Sequence, residues 1–134
     1  MSYWIIKSDP ESYGWEHMKK DKKTYWDGVR NYQARNNLKL MKEGDICLFY
    51  LSNKEKKIVG EVEVIKESYP DPTIDDDTWV AVDVQYLRDY KRTLSLAEIK
   101  KNKKLLDLAL VKQSRLSVMP ITIMEYKEIQ KLVE

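Results

Sequence analysis

Residues 45–52, "DICLFYLS", decide most of what this chain can become. Alternate side chains of a strand face opposite ways, so Ile46, Leu48 and Tyr50 share one side and Cys47, Phe49 and Leu51 the other. Both sides are apolar, which predicts a central sheet or barrel strand covered on both faces. Cys47 and Phe49 are expected to be buried, with neither metal nor disulfide on the sulfur. "SYWIIK" at the start is apolar on both faces in the same way.

The other segments build around these two strands. In 58–65, "IVGEVEVI", Ile58, Val62 and Val64 are read as inward and Glu61 and Glu63 as outward, with Gly60 marking a bend or close packing. In 79–87, "WVAVDVQYL", Val80, Val82, Val84 and Tyr86 align. Between them "YPDPTIDDDT" reads as a turn-rich loop, and its acidic run lacks the spaced ligands of a calcium loop. "SDPESYGWEHMKKD" mixes turn residues with a short helix, and "NYQARNNLKLMK" predicts a helix with Tyr32, Leu38 and Met41 on one face. Two capping boxes, Ser95 to Glu98 and Thr122 to Glu125, open later helices. The last helix carries Ile123, Tyr126, Ile129, Leu132 and Val133 as a stripe. "LALVKQSRLSVMPIT" is read as short extended segments broken at Pro120. The expected class is α+β: one domain over 1–134, with a curved, mostly antiparallel sheet or barrel and short flanking helices.

Composition removes many activities. A single cysteine, Cys47, excludes an internal disulfide, and one cysteine with one histidine, His17, cannot furnish a usual zinc set. The four glycines stand singly, so neither a dinucleotide fingerprint nor a phosphate loop is present. No cofactor and no metal are expected. No apolar run approaches a membrane span, and the N-terminal segment lacks the pattern of an export signal. The expected setting is cytoplasmic, or nuclear in a eukaryote, with no membrane partner.

Net charge is only +2, from 24 Lys and Arg against 22 Asp and Glu, but its distribution is uneven. Lys19–Lys42 holds eight basic and two acidic residues, whereas Glu61–Glu98 holds ten acidic and four basic ones. A near-neutral protein segregated in this way can turn a basic face toward phosphate, or simply present two solvated surfaces.

Within the basic stretch, "TYWDGVRNYQARNN" sets Tyr25 and Trp26 before the Asp27-Gly28 turn, then Arg30, Asn31, Gln33, Arg35 and Asn36. Aromatic faces stack bases, amides read base edges and arginine binds phosphate, which is the mixture that unstacked-base recognition needs. A Trp26 that serves only the core is the competing reading. Lys7 and Ser8, where the first strand meets a loop, and Lys112 to Arg115 in "KQSRLS" offer further donors. A lysine in such a place can also act as a base or nucleophile if burial lowers its pKa.

"SYWIIKSDPESY", "WDGVRNYQARNNLKLMKEGDICLFYLSN", "IVGEVEVIKESYPDPT", "WVAVDVQYL" and "LALVKQSRLSVMPIT" occur in the order and at the spacing of the EVE domain family, which the chain resembles over nearly its whole length. Asp9 departs from the glutamate usual there. The resemblance implies a PUA-like pseudo-barrel related to ASCH and YTH domains, and a module that reads a modified base in DNA or RNA. It places Lys7-Ser8, Trp26 through Asn31, Tyr50 to Asn53 and Ser114-Arg115 toward a pocket. The expected base-pocket residues are Lys7, Ser8, Trp26, Asn31, Tyr50, Ser52, Asn53 and Ser114, and the expected phosphate ligands are Arg30, Arg35 and Arg115. No catalytic residue is assigned. The alternatives are an ASCH-like amidohydrolase acting on acylated nucleosides, with Lys7 and Ser8 at its centre, and a protein-interaction domain.

Overall fold

The two doubly apolar strands lie side by side at the heart of the computed structural model, which describes residues 1–134. In chain order the elements are β1 (Tyr3–Ser8), α1 (Trp15–Asp21), β2 (Lys23–Trp26), α2 (Tyr32–Leu40), β3 (Ile46–Leu51) and β4 (Lys57–Pro70). β5 (Val80–Ser95), α3 (Leu96–Lys100), α4 (Ala109–Lys112), β6 (Val118–Ile121) and α5 (Ile123–Val133) follow. Six strands form one sheet in the order β2-β5-β4-β3-β1-β6. Only the β1–β3 pair is parallel; the other pairs are antiparallel. Every residue of β3 is buried, Cys47 and Phe49 completely so.

The sheet is strongly curved. Register shifts interrupt the β3–β4 pairing once and the β4–β5 pairing four times, and such bulges add twist. As a result Trp26 on the edge strand β2 packs edge-to-face on Phe49 of β3, with ring centroids 5.5 Å apart. α2 reaches both ends of the curl. Its Asn37 side-chain amide donates to the Val118 carbonyl of β6, and Arg35 donates to the Thr78 carbonyl just before β5. This is the expected PUA-like α+β pseudo-barrel.

Several local expectations are corrected. β2 is a strand that the lysine-rich sequence hid. β4 and β5 run past 65 and 87, to Pro70 and Ser95, because the bulges reset their alternation. Glu61 is buried, not outward: α5 covers that side of β4, and Glu61 accepts hydrogen bonds from Tyr90, Tyr126, Gln130 and Arg88. Residues 109–112 form α4 where extended chain was expected. Pro120 lies within β6, an edge strand that has a pairing partner on one side only. Tyr32 is exposed, since Ala34 and Leu38 supply the buried face of α2. Ile123 is exposed too, so Ile129 and Val133 anchor α5. Both capping boxes form as expected.

Gly60 shows how tightly α1 sits on the sheet. A Cβ there would lie 2.3 Å from the Trp15 ring and 2.5 Å from the Arg88 carbonyl oxygen. Gly60→Ala is expected to destabilise the protein by about 1–3 kcal/mol through overpacking. Chemical denaturation checks this, and an unchanged midpoint would contradict it.

Candidate nucleobase cavity

A cavity of about 560 Å³ opens between the ends of β1 and β2, within the size range of small-ligand sites. β2 ends the sheet on one side, while β1 has only the short β6 beyond it, so the curl leaves a gap between them. Lys7, Ser8, Asp9, Ser12 and Tyr13 form one wall, and Thr24, Tyr25 and Trp26 the other. The turn from Asp27 to Arg30 and Ser117 complete the lining.

The turn wall is rigidly held. Gly28 adopts a φ of +75°, a left-handed conformation that suits glycine. Its amide donates to Asp71 at 3.0 Å, and Arg30 donates to the same carboxylate oxygen at 2.9 Å. The Asp71 side chain is fully buried. Burial alone would push its carboxyl up, but the Thr73 hydroxyl, the Gly28 and Thr73 amides and Arg30 hold it well below the usual carboxylate range. Arg30 also lies over the Trp79 ring, which packs against Tyr32, and Arg35 lies over Tyr32.

The β1 wall is tied as firmly. The Ser8 hydroxyl donates to the Tyr13 carbonyl at 2.5 Å, fixing the loop that carries Asp9 and Ser12. Lys7 donates to the Ser114 carbonyl at 2.8 Å, and burial lowers its pKa. Tyr13 donates to Asp21 at 2.8 Å, and burial together with that carboxylate pushes its hydroxyl up to about 12. Trp26 serves both readings at once: it is 8% exposed, belongs to the core, and still lines the cavity. Tyr25 beside it is 49% exposed, which makes it the accessible aromatic of the wall.

Of the expected residues, Lys7, Ser8, Trp26 and Arg30 converge here and the others do not. Asn31 caps α2 through the Ala34 amide. Tyr50 is buried in β3 beneath the Lys7 amine, 5.8 Å from it. Ser52 donates through its amide and hydroxyl to the Ser8 carbonyl, and Asn53 is an exposed left-handed residue beside Lys54 and Lys56. Ser114 and Arg115 line a smaller cleft of about 300 Å³ with Asn31, Gln33, Lys112 and Gln113. Arg35 is held by Asn36 and Thr78. Tyr13, Thr24 and Ser117 are cavity residues that the sequence did not single out; nothing in their local pattern distinguishes them from ordinary turn and strand residues. No cluster of three or more potential metal ligands exists, and no helix is long and apolar enough to cross a membrane.

The family model for the EVE domain matches residues 2–132. The chain belongs to the EVE domain family. It is 38% identical to thymocyte nuclear protein 1 of Homo sapiens, over 99% of this chain and 74% of that protein. A protein from Agrobacterium tumefaciens of known crystal structure superposes with a TM-score of 0.95 at 43% identity, covering 98% of this chain and 92% of that one. The crystal structure of human THYN1 protein in complex with 5-methylcytosine-containing DNA superposes with a TM-score of 0.90 at 37% identity, over 100% of this chain and 98% of that one. An ASCH protein from Zymomonas mobilis shares the fold, with a TM-score of 0.67, at 12% identity.

Proposed function

We propose that this EVE domain, residues 1–134 acting as one unit, binds DNA or RNA that carries a modified base and receives that base in the cavity between β1 and β2. The likeness to human THYN1 in complex with 5-methylcytosine-containing DNA carries this reading. The cavity's chemistry agrees with it: aromatic rings of Tyr13, Tyr25 and Trp26 stand beside Lys7, Ser12 and Asp27, so the walls supply both stacking and hydrogen bonding. Unstacking a base costs a few kcal/mol, and each base–aromatic stack returns about 1–3 kcal/mol. A methyl group adds only about 0.8 kcal/mol through burial. Strong preference for a methylated base therefore depends on a well-fitted apolar wall, which Trp26 and Val29 are placed to supply.

The test is equilibrium binding to oligonucleotides that differ only in base modification, across a salt series. Affinity is expected to fall steeply with salt, because phosphate contacts release counterions. Arg115→Ala and Arg35→Ala should weaken modified and unmodified strands equally. Trp26→Phe should keep the fold and narrow the gap between them. Equal affinity for all modifications in the parent protein would defeat the reading. The lowered pKa of Lys7 is the one feature that favours the amidohydrolase alternative. Turnover of an acylated nucleoside, abolished by Lys7→Met with binding retained, would establish that alternative instead.

A further inference from the structure

The hydrogen-bonding groups that line the cavity are unequally committed. Of its two cations, Lys7 already donates to the Ser114 carbonyl, and Arg30 donates to the Val29 carbonyl and to buried Asp71. Of its two carboxylates, Asp9 accepts from the Glu11 amide, whereas Asp27 accepts from no group of the protein. Asp27 is nonetheless well positioned. Trp26 before it is paired with Val82 in the sheet, and the amide of Gly28 after it is bound to Asp71. Asp27 is thus the one charged group of this cavity with no partner in the protein, an acceptor set among the hydroxyls of Ser12, Tyr25 and Ser117 and the remaining N–H donors of Lys7 and Arg30.

Resting on the reading above that the cavity takes a base, we propose that Asp27 selects nucleobases bearing an exocyclic amine, of the cytosine and adenine type, against thymine and uracil. An ionised carboxylate only accepts hydrogen bonds. The N4 amine of cytosine donates to such an acceptor, as carboxylates do with cytosine in grooves. Thymine presents a carbonyl oxygen at that position, so two acceptors would meet and both would lose their hydration. A methyl-sized apolar wall cannot make this distinction, because thymine and 5-methylcytosine carry the same 5-methyl group.

The decisive measurement compares duplexes identical except for one base placed opposite an abasic site: 5-methylcytosine, thymine, or a second abasic residue. The unpaired setting gives both bases a similar cost of leaving the stack. The parent protein is expected to prefer 5-methylcytosine over thymine by about tenfold or more, since each well-made base contact discriminates on that scale. Asp27→Asn should lose most of that preference, because an amide can donate to the thymine oxygen as readily as it accepts from the amine. Asp75→Asn, which neutralises an exposed carboxylate outside the cavity, should keep it. Equal parental affinity for the two bases, or a preference that survives Asp27→Asn, overturns the assignment to Asp27 and leaves the base-cavity reading standing. If neither base outbinds the doubly abasic duplex, the cavity takes no base and both fail.

Discussion

Glu61→Ala is expected to cost about 3–5 kcal/mol, the scale on which breaking a buried ionic network falls. Glu61 is 2% exposed and is the common acceptor for two elements. Tyr90 and Arg88 reach it from β5, and Tyr126 and Gln130 reach it from α5, at 2.7 to 3.3 Å. Alanine leaves the Tyr90 hydroxyl buried with little to donate to and unties α5 from the sheet. Glu61→Gln should cost less, because it keeps the volume and one acceptor oxygen. The same network predicts an alkaline limb. Burial first, then the Glu61 charge, pushes the Tyr90 hydroxyl above the ordinary tyrosine range; burial and the hydrogen bond to Glu61 do the same for Tyr126. The folded state therefore keeps protons that the unfolded chain begins to release near pH ~10. Stability from this source is complete below that pH and declines as pH rises through the folded values. In Glu61→Gln, without the carboxylate's share, the decline should be shallower. Denaturant unfolding of both variants from pH 7 to 11 checks the whole chain of inference. An alanine variant within about 1 kcal/mol of the parent would show that the network contributes little.

That network marks the limit of what the sequence could reveal. β1 and β3 were legible because two apolar faces in six residues leave no exposed alternative, and the capping boxes were legible because their partners are three residues apart. Glu61 was misread because alternation fixes a side of the strand but not what covers that side, and α5 arrives from more than sixty residues away. β2 is four residues long and is held by pairing with β5, an interaction that no local propensity records. The aromatic–amide mixture after Lys23 does lie beside the candidate cavity. It did not separate Trp26 and Arg30, which line the cavity, from Asn31, whose side chain is taken by the start of α2. Tyr50 to Asn53 continue the strand that ends beside β1. Tyr50, Leu51 and Ser52 support Lys7 and Ser8 from behind, and none of the four lines the cavity.

Asp71 is the least visible of these residues, and its replacement carries the second large effect. In sequence it belongs to an acidic, turn-rich loop that reads as solvated; in the fold it is buried against a turn more than forty residues earlier. Its carboxylate accepts from the Gly28 amide, Arg30, the Thr73 amide and the Thr73 hydroxyl, at 2.6 to 3.0 Å. Asp71→Ala is expected to cost about 3–5 kcal/mol, because it strands a guanidinium and two amides whose partner was buried. Asp71→Asn separates charge from shape. In the parent the depressed carboxyl pKa contributes stability that is complete above the unfolded value, near pH ~4. That contribution is lost as pH falls through the folded value. The gap in stability between parent and Asp71→Asn should therefore be largest near neutral pH and shrink as the solution is acidified below pH ~4. A gap independent of pH would mean that the asparagine acts through geometry alone. Binding gives an independent readout. The Asp27 to Arg30 wall hangs on this carboxylate, so Asp71→Asn should weaken base-selective binding more than it weakens binding to an abasic duplex. If both fall equally while the protein remains folded, the turn does not shape the cavity that the base would enter.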